Sequence, residues 1–188
     1  GSLHRKPLPK FWFLPRKLKA AIVMTGDDHA NGGTVERFNR YITLSGSNNT
    51  PQDVLDWRAI RGSSYIYSST STGLITPTMA STFESLGFEI AAHISTNCGN
   101  WTSQSNLENF YTTQLSEFAG KWPGVPAPST NRTHCLAWSD WATQPKVELL
   151  KGIRLDANYY YWPGSWIQNR VGMFTGSGMP MRFADLDG

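Results

Sequence analysis

The sequence predicts an α/β fold in which short parallel strands alternate with helices. Three observations carry that expectation. An apolar run at residues 20–23, Ala-Ala-Ile-Val, is flanked by charge and reads as a buried strand of a parallel sheet. Further along, short apolar runs alternate with helical patterns, the signature of βα units. Polar residues gather where the strand-like runs end, at Asp27, Asp28, His93, His134 and Asp156. Parallel sheets and barrels place their chemistry on loops at the carboxyl ends of strands.

The first strand is expected over residues 20–25, with Asn31-Gly32-Gly33 as a turn and a helix over 35–41. Residues 45–53, rich in Ser, Asn and Thr, read as a polar loop, and 64–67 as a short strand. A helix follows over 77–86, because Pro77 suits an early helical position and Gly87 a carboxyl cap. A strand over 88–93 then delivers His93. Leu107, Phe110, Tyr111, Leu115, Phe118 and Trp122 recur at helical spacing behind Ser105 or Asn106 as cap. That stripe is read as core packing. Pro123, Pro126 and Pro128 end the helix. Residues 134–138 are a further strand candidate, 146–151 a helix stopped by Gly152, and 153–155 a strand leading into Asp156.

A chain of 188 residues can bury most of its surface as one domain. The net charge of +3 hides an asymmetry: residues 1–19 hold six Lys and Arg and no acid, leaving 11 basic against 14 acidic residues beyond them. Residues 1–19 are therefore expected to be a basic extended arm and 20–188 the folded domain. The arm reads as a solvated segment rather than a nucleic-acid contact. No apolar run has the length of a membrane span. Cys98 and Cys135 are too few for a four-thiolate zinc site and fit one disulfide of an oxidising compartment. Triplets beginning at Asn48, Asn100 and Asn131 have the pattern of glycan acceptors.

Asp27 and Asp28 follow the first apolar run directly, with His29 next. Consecutive strand residues point to opposite faces, so the two carboxylates are expected to do different work. One could bind a cation while the other handles a proton. Alternatively, one Asp caps the helix that starts near Thr34.

At these residues the chain resembles the NodB-like polysaccharide deacetylases, metal-dependent enzymes on a distorted (β/α) barrel. Thr25-Gly26-Asp27-Asp28 is similar to that family's T-F-D-D motif, and the segment from Gly87 to Ser95, with His93 inside it, to its G-x-E-[IL]-x-x-H-[ST] motif. Asn131-Arg132-Thr133-His134 sits where the Arg-containing third motif belongs. Gly152-Ile153-Arg154-Leu155-Asp156 resembles the segment before the fourth. The departures are Asn97 where the family usually has His or Ser, the lack of Pro after Arg132, and no L-x-H before Gly188. The expected fold is thus a distorted barrel of this type, either short of a carboxyl-terminal piece or divergent.

The resemblance implies removal of acetyl groups from an N-acetylated amino-sugar polysaccharide, by a secreted or cell-surface protein. It makes Asp27 the general base, Asp28 and His93 ligands of a divalent metal, taken as zinc, and His134 the third ligand, with Asn97 and His29 as alternatives. Arg132 would hold Asp27 ionised, and Asp156 completes the catalytic set. Tyr161, Trp162 and Trp166 would stack on sugar rings. If His93 and His134 face one metal, Cys98 and Cys135 lie close enough to pair. Two other readings compete: a glycoside hydrolase using Asp27 and Asp156, and a glycan-binding domain without catalysis.

Overall fold

A computed structural model describes residues 22–29, 32–68, 75–158, 182, 183 and 185. Five parallel strands lie in chain order: β1 (Thr25–Asp27), β2 (Ser63–Ile66), β3 (Glu89–Ala92), β4 (Thr130–Asn131) and β5 (Leu155–Asp156). Each strand pairs with the next, and the order never reverses. A doubly wound sheet reverses at a switch point; a sheet that always adds the next strand on the same side curls towards a barrel. The result is a curled half-barrel.

Helices fill the crossovers: α1 (Gly33–Ser45), α2 (Pro51–Leu55), α3 (Pro77–Ser85), α4 (Gln104–Lys121) and α5 (Thr143–Leu150). The α3 boundaries follow the sequence signals, with the Thr76 hydroxyl accepting from Met79 N and Gly87 at φ 87° beyond the end. Ser103, not Ser105 or Asn106, caps α4 through Asn106 N. Leu107, Tyr111, Phe118 and Trp122 of its stripe are buried, with Leu115 packed beside them. The ring of Phe38 from α1 stacks on Phe88 at 4.2 Å and meets Phe83 edge-on at 5.2 Å, locking α1 and α3 over the sheet.

Three expectations are corrected. The first strand begins later than its apolar run: Ile22 and Val23 are 82% and 74% exposed, and ladder pairing with β2 starts at Thr25. Among the described residues β1 pairs with β2, and the register of β2 decides where it starts. Residues 134–138 are not a strand; His134–Leu136 form a 3₁₀ turn, and β4 lies just before it. The polar stretch 45–53 contains the start of α2, nucleated by a reciprocal cap in which Asp53 N donates to Thr50 Oγ1 and Thr50 N to Asp53 Oδ2. No helix among the described residues is long and apolar enough to cross a membrane.

Candidate metal centre

Asp27, Asp28 and His29 leave the carboxyl end of β1, Tyr67 that of β2, His93 that of β3, and Arg132 and His134 that of β4. Strand alternation separates the two carboxylates. Asp28 is buried and turns towards α1, where its Oδ1 accepts from Thr34 N at 3.0 Å and Thr34 Oγ1 at 2.6 Å. The chain must turn tightly to bring Thr34 there, through Gly32 at φ 78° and Gly33 at φ 62°. A β-carbon on Gly33 would lie 2.5 Å from the Asp28 carbonyl oxygen, so a larger residue has no room.

Asp27 faces the other way. Its Oδ1 is buried without a hydrogen-bond partner among the described residues, 3.4 Å from Arg132 Nε and 3.9 Å from His93 Nδ1. Beneath it, Arg37 donates from Nη1 to the Asp27 carbonyl at 3.1 Å and from Nη2 to Ser64 Oγ at 2.6 Å.

His93 is 2% exposed, and its Nδ1 lies 2.6 Å from the Arg132 carbonyl oxygen. A carbonyl can only accept, so Nδ1 carries the proton and Nε2 keeps its lone pair. Burial pushes the ring's pKa down to about 4 against the pull of Asp27, which keeps it neutral. His134 Nδ1 lies 3.0 Å from His93 Nε2 and donates to it. The Tyr67 hydroxyl lies within hydrogen-bond distance of both ring nitrogens of His134, 2.9 Å from Nδ1 and 3.1 Å from Nε2. Burial, and then the neighbouring His29, lower the pKa of His134 as well. His29, exposed, stacks on His93 and meets His134 edge-on, with ring centroids 5.3 Å away in both cases.

One nitrogen from each of His29, His93 and His134 lies within 4.8 Å of the others. Three imidazoles, two of them held neutral and one fixed by a backbone carbonyl, suit a divalent transition metal. Of the expected ligands the structure brings His93 and His134 together, with Asp27 and Arg132 beside them. It does not bring Asp28 into this group, since α1 engages that carboxylate, and His29 stands there instead. Asn97 is exposed in a left-handed turn at φ 58°. Tyr67 was not singled out by sequence, although it follows β2 as His93 follows β3. Tyr161, Trp162 and Trp166 lie outside the described residues.

Asp156 belongs to a different cluster, packed behind β4. Its Oδ1 accepts from Asn158 N at 2.6 Å and its Oδ2 from Gln144 Nε2 at 3.2 Å. Beside it, Glu148 Oε1 accepts from Tyr111 Oη at 2.7 Å and Asn131 Nδ2 at 2.8 Å. Burial pushes Asp156 up to about 6 and Glu148 well above the usual carboxylate range, and Gln144 Nε2 donates to both carboxyls, at 3.2 Å to Asp156 Oδ2 and 3.3 Å to Glu148 Oε1. Asn158 Oδ1 accepts from Thr133 N at 2.9 Å. The cluster thus grips the residues on either side of Arg132, and Asp156 acts as support rather than at the site itself. Asn131 is fully buried, which removes it as a glycan acceptor.

Cys98 and Cys135 form a disulfide, with Cα atoms 5.2 Å apart, joining the loop after β3 to the turn after β4. Compared with protein families, with characterised proteins and with solved structures, the chain has no match.

Proposed function

We propose that the protein is a metal-dependent hydrolase that removes acetyl groups from an N-acetylated amino-sugar polysaccharide, a divergent relative of the NodB-like deacetylases. The observation that carries this reading is the half-buried Asp27 carboxylate, its Oδ1 3.4 Å from Arg132 Nε and 3.9 Å from His93 Nδ1, beside the three imidazoles. His29, His93 and His134 would hold the metal. A divalent ion there, zinc in this reading, supplies Lewis-acid polarisation of an acetamide carbonyl and brings the pKa of a bound water towards about 7.

The chain's own groups do the rest. Asp27 Oδ1 takes the proton of the attacking water, since nothing else engages that oxygen by hydrogen bonding. The Arg132 guanidinium stands beside that carboxylate, with Nε 3.4 Å from Oδ1. As the carbon–nitrogen bond breaks, the proton returns from Asp27 to the departing amine, leaving acetate and a free amino sugar. Tyr67 orients His134, and the Arg132 carbonyl orients His93. The glycosidase alternative is less well served, because Asp156 is engaged by Gln144 and Asn158. The disulfide suits an oxidising compartment, in keeping with a secreted or cell-surface protein.

Acetate released from N-acetylated amino-sugar oligomers, with and without added zinc, tests the reading. Zinc-dependent acetate is expected. A protein that binds zinc stoichiometrically yet releases no acetate from any such oligomer is better described as a glycan-binding domain.

A further inference from the structure

His134 belongs to a second group of donors. Its ring nitrogen and the sulfurs of Cys98 and Cys135 all lie within 4.8 Å of one another. The sulfurs are now bonded together, so they are unavailable as thiolates. Cys98 is exposed, so a reductant can reach it. Asn97, Cys98 and Cys135 all sit at φ of 57–59°, in the left-handed region that side chains rarely adopt, and the covalent link crosses between these two turns.

We propose that reduction of the Cys98–Cys135 disulfide creates a second metal site, Cys98–His134–Cys135, which takes its imidazole from the histidine group. The inference rests on the reading above only in that His29, His93 and His134 hold a metal in the oxidised protein. A dithiol breaks the sulfur–sulfur bond by exchange, supplying two electrons and two protons and becoming a disulfide itself. Two thiols result, and a divalent ion that binds them as thiolates releases both protons. Two thiolates and one imidazole are a recognised zinc donor set with an open fourth position. They bring two negative charges to the ion, whereas His29 and His93 bring none. With His134 shared, both sites cannot be filled together. A reducing medium therefore draws the ion away from Asp27, and the disulfide becomes a redox gate on the hydrolytic site.

Cobalt(II) is the probe, and a phosphine the reductant, so that no reductant sulfur can ligate. The oxidised protein is expected to take one cobalt with no sulfur-to-cobalt charge-transfer band. The reduced protein is expected to take one cobalt with that band, and a Cys98→Ser, Cys135→Ser double variant to lack it. His29→Ala should weaken binding at least about tenfold in the oxidised protein and leave the reduced protein unchanged. Far-ultraviolet circular dichroism follows the fold in every case. Reduced, folded protein that binds cobalt without a sulfur band overturns the proposal. So does a reduced chain that unfolds, because the three donors are then not assembled. A sulfur band of undiminished strength in reduced His134→Ala overturns the shared ligand. If the oxidised protein takes no cobalt while the reduced protein shows the band, the hydrolase reading fails and the thiolate site stands.

Discussion

His93 and Arg132 are tied together through main chain and carboxylate alike. His93 Nδ1–H donates to the Arg132 carbonyl at 2.6 Å, while both side chains flank Asp27 Oδ1, at 3.9 and 3.4 Å. Arg132, just past the end of β4, thereby sets the tautomer of an imidazole through its carbonyl and sets a guanidinium beside a carboxylate. The consequence is a division of labour that mutation can separate. The backbone carbonyl survives any substitution of Arg132, so the imidazole stays oriented when the guanidinium is gone.

Asp27→Asn is expected to lower acetate release by at least about 100-fold, the lower end of general-base contributions, with metal content near that of the parent. Arg132→Met should cost roughly 10- to 100-fold, the equivalent of one charge-assisted contact, again with metal retained. Metal content by mass spectrometry alongside acetate release checks both. Equal loss of metal and activity in Asp27→Asn would make Asp27 a ligand.

Asp28 is expected to act on stability instead. Its Oδ1 holds Thr34 by two hydrogen bonds at the start of α1, and Thr34 Oγ1 reaches on to Ser64 Oγ at 2.6 Å. Asp28→Ala should cost about 1–3 kcal/mol in denaturant unfolding. Zinc content of the folded fraction should stay near one per chain. A folded Asp28→Ala protein without metal would return Asp28 to the donor set.

The sequence already held the reason for this division. Strand alternation places Asp27 and Asp28 on opposite faces, and Thr34 is a natural helix-start partner; the likeness to T-F-D-D pointed instead to a ligand role for Asp28. His93 and His134 were legible because polar residues at strand ends stand out against apolar runs. β4 was not, since Thr130–Asn131 has no apolar run, and Asn131 is buried only because Tyr111, Thr133 and Glu148 satisfy its amide. Such long-range partners leave no local pattern. Five-residue α2 is too short for periodicity, yet Thr50-Pro51-Gln52-Asp53 carries its cap in plain view. Tyr67 looks like any aromatic at a strand end until the fold brings His134 to it.

The disulfide predicts no titratable thiol in unfolded protein that has never met a reductant. Its ring spans 37 positions, for which loop-closure entropy gives about 3–4 kcal/mol of stability. The Cys98→Ser, Cys135→Ser variant should lose that amount in denaturant unfolding. Two free thiols per parent chain would remove the link.

The pH dependence of the metal-free fold is set by opposing groups, the lowered His93 and His134 against the raised Asp156 and Glu148. Burial depresses His93 from 6.5 to about 4, so the unfolded chain takes up that proton first. The stability tied to neutral His93 is whole above about pH 6.5 and is lost as pH falls towards about 4. Asp156, raised from 3.8 to about 6, acts the other way: its contribution is whole below about pH 3.8 and is lost as pH rises through about 6. Asp156→Asn removes the compensating group and should steepen the acid loss, whereas His93→Gln should flatten it. Denaturation midpoints in chelator from about pH 7 to pH 4.5 read both slopes. Parallel curves for parent and Asp156→Asn would contradict the assignment.

Glu148 offers the sharpest test of the buried cluster. Burial, and then the neighbouring Asp156 carboxylate, raise the Glu148 carboxyl well above the usual carboxylate range, while Oε1 accepts from Tyr111 and Asn131. A glutamine keeps that pattern, since its carbonyl can accept from Tyr111 and Asn131. Glu148→Gln should therefore change stability by less than about 1 kcal/mol. Glu148→Ala leaves the Tyr111 hydroxyl without its acceptor, takes one of three acceptors from the Asn131 amide and empties a packed site, and should cost about 3 kcal/mol or more. Because Asn131 sits one residue before Arg132, the alanine variant should also lose acetate release, and the glutamine variant should keep it. A glutamine variant that fell together with the alanine variant in both measurements would overturn this reading.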